Sequence, residues 1–164
     1  MELYFQEKLS LMGKVEITDA EGKVVYSGKR SFWTGKLVLK DQEGKKLVTI
    51  VETRGLFNKG FAIKKGMFKT VAKLKKKLSL VNQKFKVKKL DWDIKGDFVA
   101  LEYKIVKDET PIAEIKRKKL VSLLEGYAIN IHDEEKVAEV VAVSLVLNQI
   151  LKERKKSLVG HITK

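Results

Sequence analysis

Apolar residues recur at every second position along most of the chain, which is the spacing of β-strands with one buried face. The clearest instances form a loose internal repeat, whose copies begin at Lys8, Arg30, Arg54 and Lys77, at offsets of 22, 24 and 23 residues. Each copy passes through a short polar turn and then places two apolar residues at i and i+2. The predicted inward-facing pairs are Val15 and Ile17, Leu37 and Leu39, Phe61 and Ile63, and Phe85 and Val87.

Glycine-containing turns follow the first three of these short strands, at 19–22, 41–44 and 64–66. Glycine readily adopts the positive φ angle that a tight chain reversal often needs. Longer alternating segments lie between the repeats, and one of them places Phe68 on the same face as Ala72 and Leu74. The pattern therefore predicts a meander of about a dozen short strands, as in a β-barrel or a β-sandwich.

The pattern changes near the C-terminus, where 11 of the 15 residues from Val137 to Leu151 are apolar and Glu139 is the one charged residue. This run is too long for an ordinary strand and contains neither Gly nor Pro. Acidic residues precede it and basic residues follow it, which is the charge order that complements a helix dipole. We predict a central helix over about 133–156, within a single domain over 1–156, and a short tail over 157–164.

A helix that is apolar on nearly all sides must be enclosed by other parts of the protein. A barrel of about twelve strands is too wide for its own side chains to fill, and one apolar helix inside it would fill the space. A membrane span is the alternative, but it needs roughly 20 apolar residues, and this run is shorter and contains Ser144 and Asn148. The predicted core positions of the helix include Val141 and Leu145.

Three segments resemble the LURP-one-related family, namely LDWDIKGDF over 90–98, PIAEIKRK over 111–118 and YAINI over 127–131. The resemblance covers nearly the whole chain, and the family shares its fold with the C-terminal domain of tubby proteins and is similar to phospholipid scramblases. It implies a mainly β fold, a closed antiparallel barrel of about 12 strands around a buried hydrophobic C-terminal α-helix. The implied protein is cytosolic and of largely unassigned role.

The resemblance also implies structural roles for three residues. Trp92 stands in the Asp-Trp pair of the family, and Gly96 and Phe98 belong to the Gly-Asp-Phe turn that follows. These residues look like an aromatic anchor, a turn glycine and the start of a strand, with a ligand-facing role as the alternative for the two aromatic rings. Tubby domains bind phosphoinositides through basic residues on the barrel exterior, but no residue of that pocket can be matched to this chain.

No constellation of residues in the chain indicates catalysis. A nucleophile needs a base held beside it, whereas this chain has no cysteine and two histidines, His132 and His161. His132 is predicted in the turn before the helix, and the acids at 133–135 suit a helix N-terminus better than a metal site. No glycine-rich phosphate loop or nucleophile elbow is present in the sequence. We therefore predict a protein that is not an enzyme, with no catalytic residue, no metal site and no cofactor.

The distribution of charge is the one compositional anomaly. The net charge is +14, and residues 59–89 contain 12 lysines and no acidic residue. If the strands of this stretch pair, like charges lie side by side and repel each other. The alternation predicts two outward-facing sets of lysines, which we take as a candidate site for an anionic ligand. They are Lys69, Lys73 and Lys75 on one strand, and Lys84, Lys86 and Lys88 on the next.

The preferred partner of this basic face is an anionic phospholipid or membrane surface. Nucleic acid is less favoured, because no aromatic residues interleave with the lysines to stack on bases and only four residues of the chain are arginine. The alternative is a protein-interaction scaffold whose lysines form only a solvated surface. The N-terminus lacks the basic start and long apolar stretch of a secretory signal, so the predicted location is the cytoplasm, either free or peripherally bound at a membrane.

Overall fold

The structure is a computed structural model. It describes residues 1–6, 13–31, 34–55, 59–76, 84–119 and 125–162. For residues 84, 119, 125 and 154–162, it describes only the backbone. The chain forms twelve strands followed by one helix. The strands are β1 (Glu2–Gln6), β2 (Lys14–Thr18), β3 (Val24–Arg30), β4 (Leu37–Asp41), β5 (Lys46–Thr53), β6 (Gly60–Lys65), β7 (Lys69–Lys75), β8 (Lys84–Val87), β9 (Trp92–Asp97), β10 (Glu102–Lys107), β11 (Thr110–Lys119) and β12 (Glu125–Ile131). A short 3₁₀ turn (Glu134–Lys136) leads into α1 (Val137–Ile162).

All twelve strands belong to one antiparallel sheet in the order β7-β6-β5-β4-β3-β2-β1-β12-β11-β10-β9-β8. Apart from β7 and β8, consecutive strands pair as hairpins, and β1 joins the two halves by pairing with both β2 and β12, where Phe5 lies opposite Ile17 and Tyr127. The two ends of the sheet, β7 and β8, meet through one bridge, so the sheet curls into a nearly closed barrel. The predicted mainly β fold of about 12 strands is confirmed.

The inward-facing pairs predicted from the alternation are buried. The residues of all four pairs are at most 5% exposed, and they belong to one hydrophobic core that also contains the helix. Two of the predicted glycine turns share one geometry, in which an aspartate carbonyl accepts a hydrogen bond from the glycine three residues later, at Asp19–Gly22 and Asp41–Gly44. Both glycines have a φ of +80°, which explains the recurrence of the motif in the sequence.

The helix α1 lies inside the barrel. Asp133 caps its N-terminal turn by accepting a hydrogen bond from the backbone amide of Glu135, so the acidic start predicted for the helix has a local structural role. Every residue from Val140 to Leu147 is at most 7% exposed. Because eight consecutive residues of a helix point in all directions, this burial requires protein on every side.

The helix extends further than predicted. It reaches Ile162, whereas we expected it to end near residue 156 and a tail to occupy 157–164. The basic residues at 152–156 are good helix formers and do not end the helix, which continues through the sequence SLVGHI at 157–162.

Ionic contacts hold the helix at both ends of the barrel. Near its start, the buried Glu139 carboxylate lies 2.6 Å from the ammonium of Lys65, at the end of β6. Near the other end, Lys76 lies 2.5 Å from Glu52 of β5 and 3.0 Å from Glu153 of the helix. Lys76 therefore ties the helix to the barrel wall.

The Lys76 contacts predict a pH-dependent contribution to stability. Hydrogen bonding from Lys76 lowers the pKa of Glu52 below its usual 4.5, against the opposing effect of burial. Burial acts to lower the pKa of Lys76, but hydrogen bonds to Glu52 and Glu153 outweigh it and raise that pKa above 10.5. The lowered pKa of Glu52 stabilises the fold at pH values above the unfolded-state pKa, and this stabilisation is lost as the pH falls through the folded-state pKa. The raised pKa of Lys76 has the opposite dependence, so its contribution is lost at alkaline pH.

We expect Lys76→Met to lower the free energy of unfolding by roughly 1–2 kcal/mol near neutral pH, because it removes charge-assisted hydrogen bonds. Urea unfolding across a pH series should show this difference shrinking as pH falls below about 4.5. The matched control is Lys46→Met, at an exposed position of β5, which should change stability little at any pH. If Lys76→Met lowered the free energy of unfolding by the same amount at every pH, that result would contradict the ionic contribution.

Candidate anion-binding site

The junction of β7 and β8, which we call the seam, is the weakest point of the barrel wall. The amide of Lys73 donates to the carbonyl of Lys88 over 3.1 Å, and the amide of Lys88 donates back to the carbonyl of Lys73 over 2.9 Å. Among the described residues, this is the one backbone bridge between the two strands. Each strand is well paired on its other side, β7 with β6 and β8 with β9.

The register at the seam places lysines opposite lysines. Lys73 faces Lys88 in the bridge, and the same antiparallel register continued along the strands places Lys75 opposite Lys86. All four side chains are exposed on the outer wall, and we call them the seam lysines. Like charges directly opposite each other destabilise strand pairing. This repulsion weakens the pairing at the seam, although Lys14 and Lys29 also lie opposite each other in the fully paired strands β2 and β3.

The remaining two residues of the predicted lysine set lie at the margins of the seam. Lys69 is exposed and begins β7, where it pairs with Lys65 next to the hairpin turn. Lys84 begins β8 and its backbone pairs with Lys95, but its side chain lies outside the described part of the structure. The structure thus places lysines from two strands on one continuous strip of the wall.

Few negative charges border this strip. Within the described residues, no seam lysine forms an ion pair, and neither does Lys69. The nearest carboxylate by register is that of Asp93, opposite Lys86 on β9. On the outer side of β7, strand β6 contributes Ala62 opposite Lys73 and no acidic residue.

The wall formed by β10 and β11 shows the contrasting arrangement. Glu114 receives a hydrogen bond from Lys104 at 3.1 Å and lies 3.7 Å from Lys116, and these contacts hold the pKa of Glu114 below its usual value. Two lysines of this wall are therefore paired with a carboxylate, whereas in the described part of the chain the seam lysines are not.

The residues with predicted structural roles lie near the seam, on β9 and the turn after it. Trp92 begins β9 opposite Val87 and is 2% exposed. Gly96 pairs with Tyr103 of β10, and Phe98 is half-buried with its ring centroid 6.3 Å from that of Tyr103. In the helix, Val141 and Leu145 are both buried.

The prediction that Phe68 shares a face with Ala72 and Leu74 is wrong. The β6–β7 turn occupies 66–68, and β7 begins only at Lys69, so Phe68 lies at the tip of a hairpin and is 85% exposed. Ile63 pairs with Ala72 and Lys64 with Thr70, so Val71 is an extra residue, and the alternation that places Ala72 and Leu74 inward does not continue to Phe68. Met67, beside Phe68, is 80% exposed and was not singled out from the sequence. The glycine at position 66 is the one sequence signal that marks this turn.

The interior of the barrel contains a few polar groups on the helix. Ser144 and Asn148 are one helical turn apart and buried, and burial raises the pKa of Tyr103 on β10. His132 is exposed after β12 and lies beside the Asp133 cap. In the part of the chain that the structure describes, no three His, Asp or Glu side chains are grouped closely enough to bind a metal ion. No helix in the described ranges is both long enough and apolar enough to cross a membrane.

Together these features define a class of protein, an antiparallel barrel filled by its own C-terminal helix and carrying a strip of lysines on its wall. The family model that describes LURP-one-related proteins matches residues 1–148. The chain therefore belongs to the LURP-one-related family.

Two comparisons agree with this assignment. The chain is 27% identical over 154 residues to the uncharacterized protein YxjI of Bacillus subtilis, covering 92% of this chain and 94% of that protein. The X-ray structure of the Arabidopsis thaliana protein AT5G01750 superimposes with a TM-score of 0.59, over 87% of this chain and 88% of that one. At 19% sequence identity, this second likeness shows the fold alone.

Proposed function

We propose that the protein is a non-catalytic barrel that docks on an anionic membrane surface through the seam lysines and Lys69. The observation that carries this proposal is the row of lysines facing each other across the seam without ion pairs among the described residues. Phosphate-bearing headgroups would offset the repulsion between these lysines. A protein bound in this way is peripheral, with the β7–β8 wall against the lipid.

Lipid fits the lysines better than nucleic acid does. A membrane gathers anionic headgroups around each ammonium group, and each lysine near such a surface contributes about 1 kcal/mol. Bidentate recognition of bases or phosphates depends on arginine. Arg30 donates to Gln149 at 2.5 Å and Arg54 lies 3.7 Å from Glu52, so these two arginines already have contacts within the protein.

The test replaces the four seam lysines with glutamine and measures co-sedimentation with phosphatidylcholine vesicles, with and without phosphatidylserine. We expect the wild-type protein to bind only the anionic vesicles, and the variant to bind them at least about tenfold more weakly. Added salt should weaken wild-type binding, because screening shortens the range of the attraction. Single-stranded DNA serves as the competitor.

The matched control replaces four exposed lysines outside the seam, on or beside β3, β4 and β5, and so changes the net charge by the same amount. They are Lys29, Lys36, Lys40 and Lys46. Equal loss of binding in the two variants would mean that only net charge matters, and would contradict a site at the seam. Full displacement by DNA would favour nucleic acid. An absence of vesicle binding would overturn the proposal and favour the protein-interaction scaffold.

A further inference from the structure

The tip of the β6–β7 hairpin exposes two large apolar side chains side by side. Gly66 has a φ of +63° and turns the chain, and Met67 and Phe68 follow it at 80% and 85% exposure. Single exposed apolar residues are common on protein surfaces and need no explanation. An adjacent methionine and phenylalanine at the end of a hairpin are a different case from single exposed residues, because a protruding turn can insert both side chains together into an apolar environment.

Lysines lie directly beside this tip. Lys64 is the second-last residue of β6 and Lys69 begins β7, so basic side chains flank the apolar pair on both strands. Lys65 also flanks it, but its ammonium is held by Glu139 at 2.6 Å and faces the helix. The β7 strand leads from the tip to the seam within a few residues, so the tip continues the same basic strip.

We propose that Met67 and Phe68 insert into the interfacial region of an anionic bilayer while the neighbouring lysines bind headgroups. This inference rests on the proposed function and deepens it, because it names the part of the protein that enters the lipid. Apolar residues next to cationic ones are the arrangement by which surface-bound segments attach to anionic membranes. Two side chains at a turn are too small to form a stable protein interface, which buries about 800 Å² on each partner.

The charges at this end of the barrel also determine the orientation. The other turns at the same end carry acidic residues, among them Asp19, Glu43 and Asp108. Those turns also carry lysines, among them Lys23, Lys45 and Lys107, whereas the stretch from Lys64 to Lys69 has no acidic residue. An anionic surface would therefore attract the β6–β7 hairpin most strongly, which orients the barrel with this hairpin and the adjoining seam toward the lipid.

The test places a tryptophan at the tip. Phe68→Trp should show a blue-shifted emission on adding phosphatidylserine-containing vesicles, and quenching by lipids brominated on their acyl chains. The wild-type protein provides the background from Trp33 and Trp92. The matched control is Val99→Trp, because Val99 is 94% exposed but lies on the β9–β10 turn at the opposite end of the barrel. This control tryptophan should show neither effect.

A second variant separates insertion from electrostatic attraction. Replacing Met67 and Phe68 together with serine should weaken vesicle binding at least about tenfold, at low and at high salt alike, because the lost contribution is apolar. Binding by the wild-type protein without a blue shift at position 68 would overturn the insertion and leave the electrostatic docking in place. Vesicle binding that is absent altogether would overturn both proposals.

Discussion

Val141→Asp is expected to prevent folding. Val141 is fully buried in the middle of α1, inside the barrel, where an aspartate would have no water and no partner. Burying an unpaired carboxylate costs several kcal/mol, and the lost packing of the valine adds to this cost. Because natural domains are stable by only about 5–15 kcal/mol, the variant should be insoluble or show no cooperative thermal transition.

The matched control for this variant is Val99→Asp, which makes the same chemical change at a side chain that is 94% exposed. It should melt within a few degrees of the wild-type protein, because surface substitutions usually change stability by less than about 0.5 kcal/mol. Leu145→Asp, one turn further along the helix, should behave like Val141→Asp. A soluble Val141→Asp protein that melts cooperatively would show that the helix is peripheral to the fold.

Gly96→Ala is expected to lower the free energy of unfolding by about 3 kcal/mol or more. Gly96 has a φ of +149°, which side chains rarely adopt, and its added Cβ would lie 2.4 Å from the carbonyl oxygen of Glu102. The atom would also lie 2.6 Å from the Cα of Tyr103, so the clash is with the backbone of β10 and cannot be relieved by a side-chain rotation. Denaturant unfolding and thermal melting measure the loss.

Gly44→Ala controls for the effect of the backbone angle alone. Gly44 has a φ of +80°, but a Cβ added there has no atom within 4 Å. This variant should lose only the roughly 1–2 kcal/mol of a left-handed conformation. If both glycine variants were equally stable, the close approach of β9 and β10 would not constrain position 96.

The alternation in the sequence predicts the inner face of the barrel well, because the side-chain period of a strand is a local property. The pairs from Val15 and Ile17 to Phe85 and Val87 are buried for this reason. The same rule fails at Phe68, where a turn and a bulge shift the alternation between two strands. The local pattern there is compatible with a longer strand, and only the pairing with β6 shows where β7 begins.

The helix shows the same division between local and non-local information. Its apolar run and its acidic start predict a buried helix near its true beginning, whereas its end is wrong by several residues. Basic residues that complement the end of a helix are also good helix formers, so they do not mark where it stops. Lys76, which binds Glu153, is distant in sequence, so this contact could not be read from the helix itself.

The sequence alone therefore determined the strands, their inward faces, the buried helix and the surplus of lysines, because each of these follows from residue types within a short window. Only the tertiary structure decided that β7 and β8 meet, that Lys73 faces Lys88, and that Met67 and Phe68 project beside them. Those facts depend on how many strands the sheet contains and in what register they pair, and the two strands lie at opposite ends of the sheet order. The closure of a barrel is a property of the whole sheet, and no local segment encodes it.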